Sequence, residues 1–185
     1  MMKQEVRSKK VKKYLKILLL FTIYFSLLNV LSACNPPPGT RGTQPTVKIG
    51  EPAFPFTLNL INNETAALDT FKGKPLVITF MSSWCPCSNE SAPVFKEVYN
   101  KYHPQGVEIL MIGIQDSEKK FKKFFNKHNF PFQGGFDNGD KIAQIYGVNA
   151  PPTTFFITRD GKIKRAFYGK IVETDKLSKW VEEII

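Results

Sequence analysis

The feature that most constrains the fold of this chain is a strand that hands over directly to a cysteine-bearing helix start. Leu76-Val77-Ile78-Thr79-Phe80 is an unbroken apolar run, rich in β-branched residues, behind Lys74-Pro75. Such a run reads as a strand covered on both faces. Cys85-Pro86-Cys87 follows, and from Ser88 to Tyr102 the residues Val94, Phe95, Val98, Tyr99 and Tyr102 recur at helical spacing. Proline suits the first helical turn, where its missing N–H has no partner to lose. A buried strand followed by an amphipathic helix calls for a parallel neighbour reached by a right-handed crossover.

Val107–Ile114 (V-E-I-L-M-I-G-I) is that neighbour. Thr154–Ile157 and Ile163–Tyr168 are two further strands, joined by Thr158-Arg159-Asp160-Gly161, in which Asp-Gly is a hairpin signal. Helical patterns cover Asp116–His128, Lys141–Tyr146 ahead of Gly147, and Thr174–Ile185 with Leu177, Trp180, Val181 and Ile184 on one stripe. Phe54 to Phe71 holds room for a small hairpin. The order β-α-β-α-(short α)-β-β-α predicts an α/β domain: a central mixed β-sheet flanked by helices, with an N-terminal β-hairpin extension. A length of 185 residues accommodates one such domain, 47–185, and an appendage.

The appendage is an address. Lys3, Arg7, Lys9, Lys10, Lys12, Lys13 and Lys16 stand against the single acid Glu5, and Ile17 to Ala33 carries no charge. A basic segment before a short apolar run is a signal-peptide pattern. The run is barely long enough to span a ~30 Å hydrocarbon core, so an uncleaved anchor is the alternative. It ends in Leu31-Ser32-Ala33-Cys34, which resembles the bacterial lipoprotein box. That resemblance implies a signal peptide over 1–33, lipidation of Cys34 with palmitate-type acyl chains, and a membrane-tethered protein facing the extracytoplasmic side, where disulfides persist. Residues 34–46, rich in Pro, Gly and Thr, read as a solvated tether.

The formal net charge of +10 suggests nucleic acid at first sight. Seven basic residues and one acid lie in residues 1–33, which leaves +4 on the remainder, an ordinary protein surface. No nucleic-acid partner is expected. Lys119, Lys120, Lys122, Lys123 and Lys127 interleave with Phe121, Phe124 and Phe125, the pattern of a helix with phenylalanines inward and lysines outward. An anionic membrane surface or an acidic partner is the other reading of that cluster.

The three cysteines divide into Cys34 and the pair Cys85 and Cys87. A helix start supplies unpaired N–H groups and a positive dipole end, which favour a thiolate. Cys85 is expected to be the more exposed sulfur and the nucleophile of thiol–disulfide exchange.

The second element is Gly147-Val148-Asn149-Ala150-Pro151-Pro152-Thr153-Thr154-Phe155. With Trp84-Cys85-Pro86-Cys87, Phe71-Lys72-Gly73-Lys74 and Asp160-Gly161-Lys162, it resembles the thioredoxin superfamily over about 47–185. The likeness is to its membrane-anchored, extracytoplasmic thiol-disulfide oxidoreductases of the ResA/TlpA group. The resemblance implies a thioredoxin-like three-layer fold and a cis-proline at Pro152 flanked by Thr153. It implies protein thiol or disulfide substrates, a membrane-embedded thiol reductant and a monomer. Cys85 and Cys87 are the catalytic candidates, and Trp84, Pro86, Ser88, Glu90, Pro152 and Thr153 the supporting ones. No cofactor is implied, and without a Cys/His cluster at ligand spacing no metal site is expected.

The motif departs from W-C-x-x-C by having one residue between its cysteines. Either one residue is deleted and Cys87 is the second cysteine, with Glu90 three residues on, or none is deleted, Pro93 keeps its place, and Ser88 stands where the second cysteine would be. A Cys85–Cys87 bond would close a small strained ring and be easily reduced. Thr79 stands where thioredoxin has an aspartate; Glu90 or Asp116 could substitute, or Glu90 could serve in a surface ion pair. Pro151 has no N–H to offer an extended substrate. Two alternatives remain: a peroxiredoxin-like thiol peroxidase with an antioxidant role, from Ser82-x-x-Cys85, and a non-enzymatic protein binding Cu(I) through Cys85 and Cys87. Trp84 is expected to cover the motif or else to pack in the core, and His103 and His128 to be surface residues.

Overall fold

The computed structural model describes residues 47–185. The expected signal segment, Cys34 and the tether lie outside the described residues. A small antiparallel hairpin opens the domain, β1 (Thr57–Asn59) with β2 (Thr65–Ala67). There follow β3 (Leu76–Met81), α1 (Pro86–Tyr102), β4 (Glu108–Gly113), α2 (Glu118–His128), β5 (Gln133–Phe136) and α3 (Lys141–Ile145). The chain closes with β6 (Thr153–Ile157), β7 (Ile163–Tyr168) and α4 (Thr174–Glu182).

The central sheet runs β5-β4-β3-β6-β7. β3 pairs parallel with β4, and β4 with β5; β6 is antiparallel to both β3 and β7. All six residues of β3 are buried, as its unbroken apolar run requires of a central strand. Its side chains alternate between two cores. Val77 and Met81 join Phe95, Val98, Phe121 and Leu177 under α1, α2 and α4. Leu76, Ile78 and Phe80 join Leu58, Ala66, Ile142 and Tyr146 under the hairpin and α3. The result is the expected three-layer α/β arrangement with an N-terminal hairpin.

The strand β5 is absent from the sequence-based order. Gln133-Gly134-Gly135-Phe136 has no strand-like side chains at its centre because there is no room for them. A Cβ on Gly134 would stand 2.2 Å from Phe125, and one on Gly135 would stand 2.4 Å from the Asn59 carbonyl oxygen. Among the described residues, no helix is long and apolar enough to cross a membrane.

Candidate active site

The site forms where β3 ends and α1 begins. Cys85 is the N-cap of α1, in extended conformation, with Pro86 at the first helical position. Its carbonyl accepts the Asn89 backbone N–H at 3.2 Å, and its own N–H donates to the Ser82 carbonyl at 3.2 Å. The Asn89 side chain stitches the turn together, donating to the carbonyls of Ser83 (3.0 Å) and Cys85 (2.9 Å). The Cys85 thiol makes no capping bond of its own. It donates instead to the Pro151 carbonyl oxygen at 3.6 Å.

Pro151-Pro152 is a cis peptide, as the resemblance implied. Thr153, buried, donates its hydroxyl to the Ala150 carbonyl at 2.8 Å and so closes the loop that carries both prolines. Both cysteines are buried, Cys85 at 6% and Cys87 at 8% exposure, and the Pro151 carbonyl stands against the Cys85 thiol. The two cysteines are not joined in a disulfide. Cys87 is the second helical residue and Ser88 the third. Residues two apart on a helix do not face each other, whereas residues three apart do. Ser88 is fully buried, and its hydroxyl accepts the Ser82 backbone N–H at 3.3 Å. Pro93 lies inside α1.

Glu90 pairs with Lys170 at 2.5 Å, both about half exposed, which is the surface ion pair that was one of its two expected roles. Trp84 is 58% exposed and so does not pack in the core. Its indole N–H donates to the Gln115 carbonyl at 2.6 Å. His128 is not a plain surface residue: its ring stacks on Phe130 and meets Phe124 edge-on. His103 stays half exposed and stacks on Tyr99.

Asp116, read from the sequence as a substitute acid, and Gln115, which the sequence did not single out, both take structural roles here. The Asp116 carboxylate accepts the backbone N–H of Ser83 (2.7 Å) and of Ser117 (2.8 Å), fixing the approach to Cys85. Gln115, at φ +50, donates its side chain to the Asn149 carbonyl (2.9 Å) and its backbone N–H to Asp140 (2.8 Å). A left-handed glutamine leaves no sequence signal. Thr79 and Thr154 share a buried hydroxyl contact of 3.1 Å between β3 and β6.

The arrangement, a thiol at a helix start beside a cis-proline loop, suits sulfur exchange, and the relatives of the chain agree. Residues 49–166 match the AhpC/TSA family. The thiol-disulfide oxidoreductase ResA of Bacillus thuringiensis (strain Al Hakam) is 34% identical over 125 residues, 67% of this chain and 72% of that protein. ResA of Geobacillus thermodenitrificans (strain NG80-2) is 32% identical over 130 residues, 70% of this chain and 74% of its own. The chain belongs to the AhpC/TSA family and groups with the ResA thiol-disulfide oxidoreductases. A solved Chlorobium tepidum structure described as a thiol:disulfide interchange protein DsbE superposes with TM-score 0.70 at 23% identity. It covers 75% of this chain and 98% of its own, which establishes the thioredoxin-like fold. The chain is therefore an enzyme of the thiol-disulfide oxidoreductase class.

Proposed function

We propose that this chain exchanges disulfides with protein cysteines outside the cytoplasm, with Cys85 as the nucleophile, while held at the membrane by a lipid on Cys34. The observation that carries the reading is the placement of the Cys85 sulfur at the start of α1, against the carbonyl of Pro151. The helix start accommodates the anionic sulfur. That thiolate attacks one sulfur of a substrate disulfide; the substrate S–S bond breaks, a Cys85–substrate bond forms, and the leaving sulfur takes up a proton. A second thiolate then attacks Cys85 and releases the substrate as a thiol, leaving the oxidised protein for a membrane-embedded thiol reductant to restore.

Cys87 is one source of that second thiolate. As an i, i+2 neighbour within the first turn of α1, it reaches Cys85 only if that turn unwinds. An external thiol is the other source, and the burial of Ser88 at the third helical position favours it. The peroxidase reading is weaker, because the Ser82 hydroxyl is buried and committed to the Ile114 carbonyl.

The test is trapping of mixed disulfides with a disulfide-bearing protein such as insulin, read by mass spectrometry. Cys85→Ser should trap nothing and reduce no insulin. Cys87→Ser should still form the adduct on Cys85. Undiminished turnover in Cys85→Ser would overturn the assignment.

A further inference from the structure

The outward face of α2 takes no part in the chemistry. Lys119, Lys120, Lys122, Lys123 and Lys127 are all exposed. At 3.6 residues per turn they span about 160° of the helix. Among the described residues none of the five enters an ion pair, and Glu118 is the one acid on the helix. The apolar side of α2 is fully used: Phe121, Phe124 and Phe125 are buried in the core beneath it.

We propose that this face docks on anionic phospholipid headgroups, laying the domain against the membrane that holds its anchor. The reading rests on the proposed lipid at Cys34. Two features favour lipid over an acidic protein. Protein interfaces are built on buried aromatic anchors and are depleted in lysine; this face has five lysines and offers no aromatic side chain, since its phenylalanines point inward. Charge on a lysine face is what an anionic headgroup layer recognises without insertion. The anchor also makes the encounter local. Twelve residues separate Cys34 from Val47, a reach of at most about 40 Å when fully extended, which raises the effective concentration of headgroups around the domain.

Binding of this kind is superficial and weakened by salt, because the attraction is screened within ~10 Å at 0.1 M ionic strength. It also gives the domain an orientation. Asp116, which holds Ser83 beside Cys85, precedes the N-cap of α2, so the active-site end of the domain adjoins the docked helix.

The experiment uses the full, lipidated chain on vesicles of phosphatidylcholine alone and of phosphatidylcholine with phosphatidylglycerol. Amine acetylation of each lysine is read by mass spectrometry. Labelling of the five lysines should fall about fivefold or more with phosphatidylglycerol and recover in high salt, while Lys164, on the opposite edge strand β7, is unchanged. The Lys119→Glu, Lys122→Glu, Lys123→Glu triple variant, altered only at exposed positions, should lose the difference. Equal labelling on both vesicles overturns the proposal. So does protection seen in native membranes but not on phosphatidylglycerol vesicles, which would indicate an acidic protein. Retention of the chain through a salt wash of the neutral vesicles reads the anchor separately.

Discussion

The indole N–H of Trp84 donates to the backbone oxygen of Gln115 across 2.6 Å, and this contact ties the cysteine turn to the proline loop. The Gln115 side chain continues the link to the Asn149 carbonyl, two residues before the Pro151 that accepts from Cys85. Gln115 thus links the turn that carries Cys85 to the loop that carries its carbonyl partner.

Gln115→Ala should therefore slow exchange without unfolding the domain. It removes one hydrogen bond, worth about 0.5–1.5 kcal/mol, or roughly a two- to tenfold effect if all of it falls on the geometry of Cys85. Insulin reduction by the variant should drop within that range while the melting temperature moves little. Gln115→Gly, which frees the φ +50 backbone but also lacks the amide, should lose activity in the same way. If both variants retain full activity, the link has no role in positioning.

Ser88→Cys should convert the site into one that forms an internal disulfide readily. Residues three apart on a helix surface lie about 5–6 Å apart between Cβ atoms, close enough for a small adjustment of the turn to bridge them, whereas residues two apart do not share a face. Mass spectrometry after mild oxidation should find Cys85 bonded to the introduced thiol in preference to Cys87. The cost is the hydrogen bond from the Ser82 N–H, for which a thiol is a weaker acceptor. A bond to Cys87 instead would show that the first turn of α1 opens freely.

These positions also show what the sequence disclosed. The central strand β3 was legible because burial on both faces leaves an uninterrupted apolar run. The hairpin of β6 and β7 was legible because the chain folds back at Gly161, whose φ is +81. The approach of Cys85 to the Pro151 loop spans 66 positions in sequence, so only the resemblance to a known family could bring the two together. Glu90 stayed open between two roles because helical position alone does not reveal that Lys170, on the loop after β7, stands beside it. β5 was hidden because its glycines are selected by what presses on them, not by strand preference.

That pressure is measurable. Gly134→Ala would push a methyl group into the Phe125 ring, an overpacking that costs about 1–3 kcal/mol. Gly135→Ala meets the Asn59 carbonyl oxygen, a backbone atom of β1 that cannot swing aside. Urea unfolding should show Gly135→Ala as the more destabilised of the two. Phe125→Leu should recover part of the loss in Gly134→Ala and none in Gly135→Ala.

Acid sensitivity above the carboxylate range should trace to His128. Its ring lies between Phe124 and Phe130, and its Nε2 is buried without a hydrogen-bond partner. Burial pushes the pKa of His128 below the usual histidine value, with Lys127 and Lys96 adding to the shift. Because the folded protein binds that proton less readily than the unfolded chain, the stability His128 contributes is complete above the unfolded value of about 6.5. It is lost progressively as the pH falls below that point and through the depressed folded value. The urea midpoint should accordingly decline between about pH 6.5 and pH 5, before most carboxylates begin to titrate. His128→Phe, which keeps an aromatic ring beside Phe130 and cannot protonate, should flatten the profile in that window. An unchanged slope in the variant would place the acid-sensitive group elsewhere.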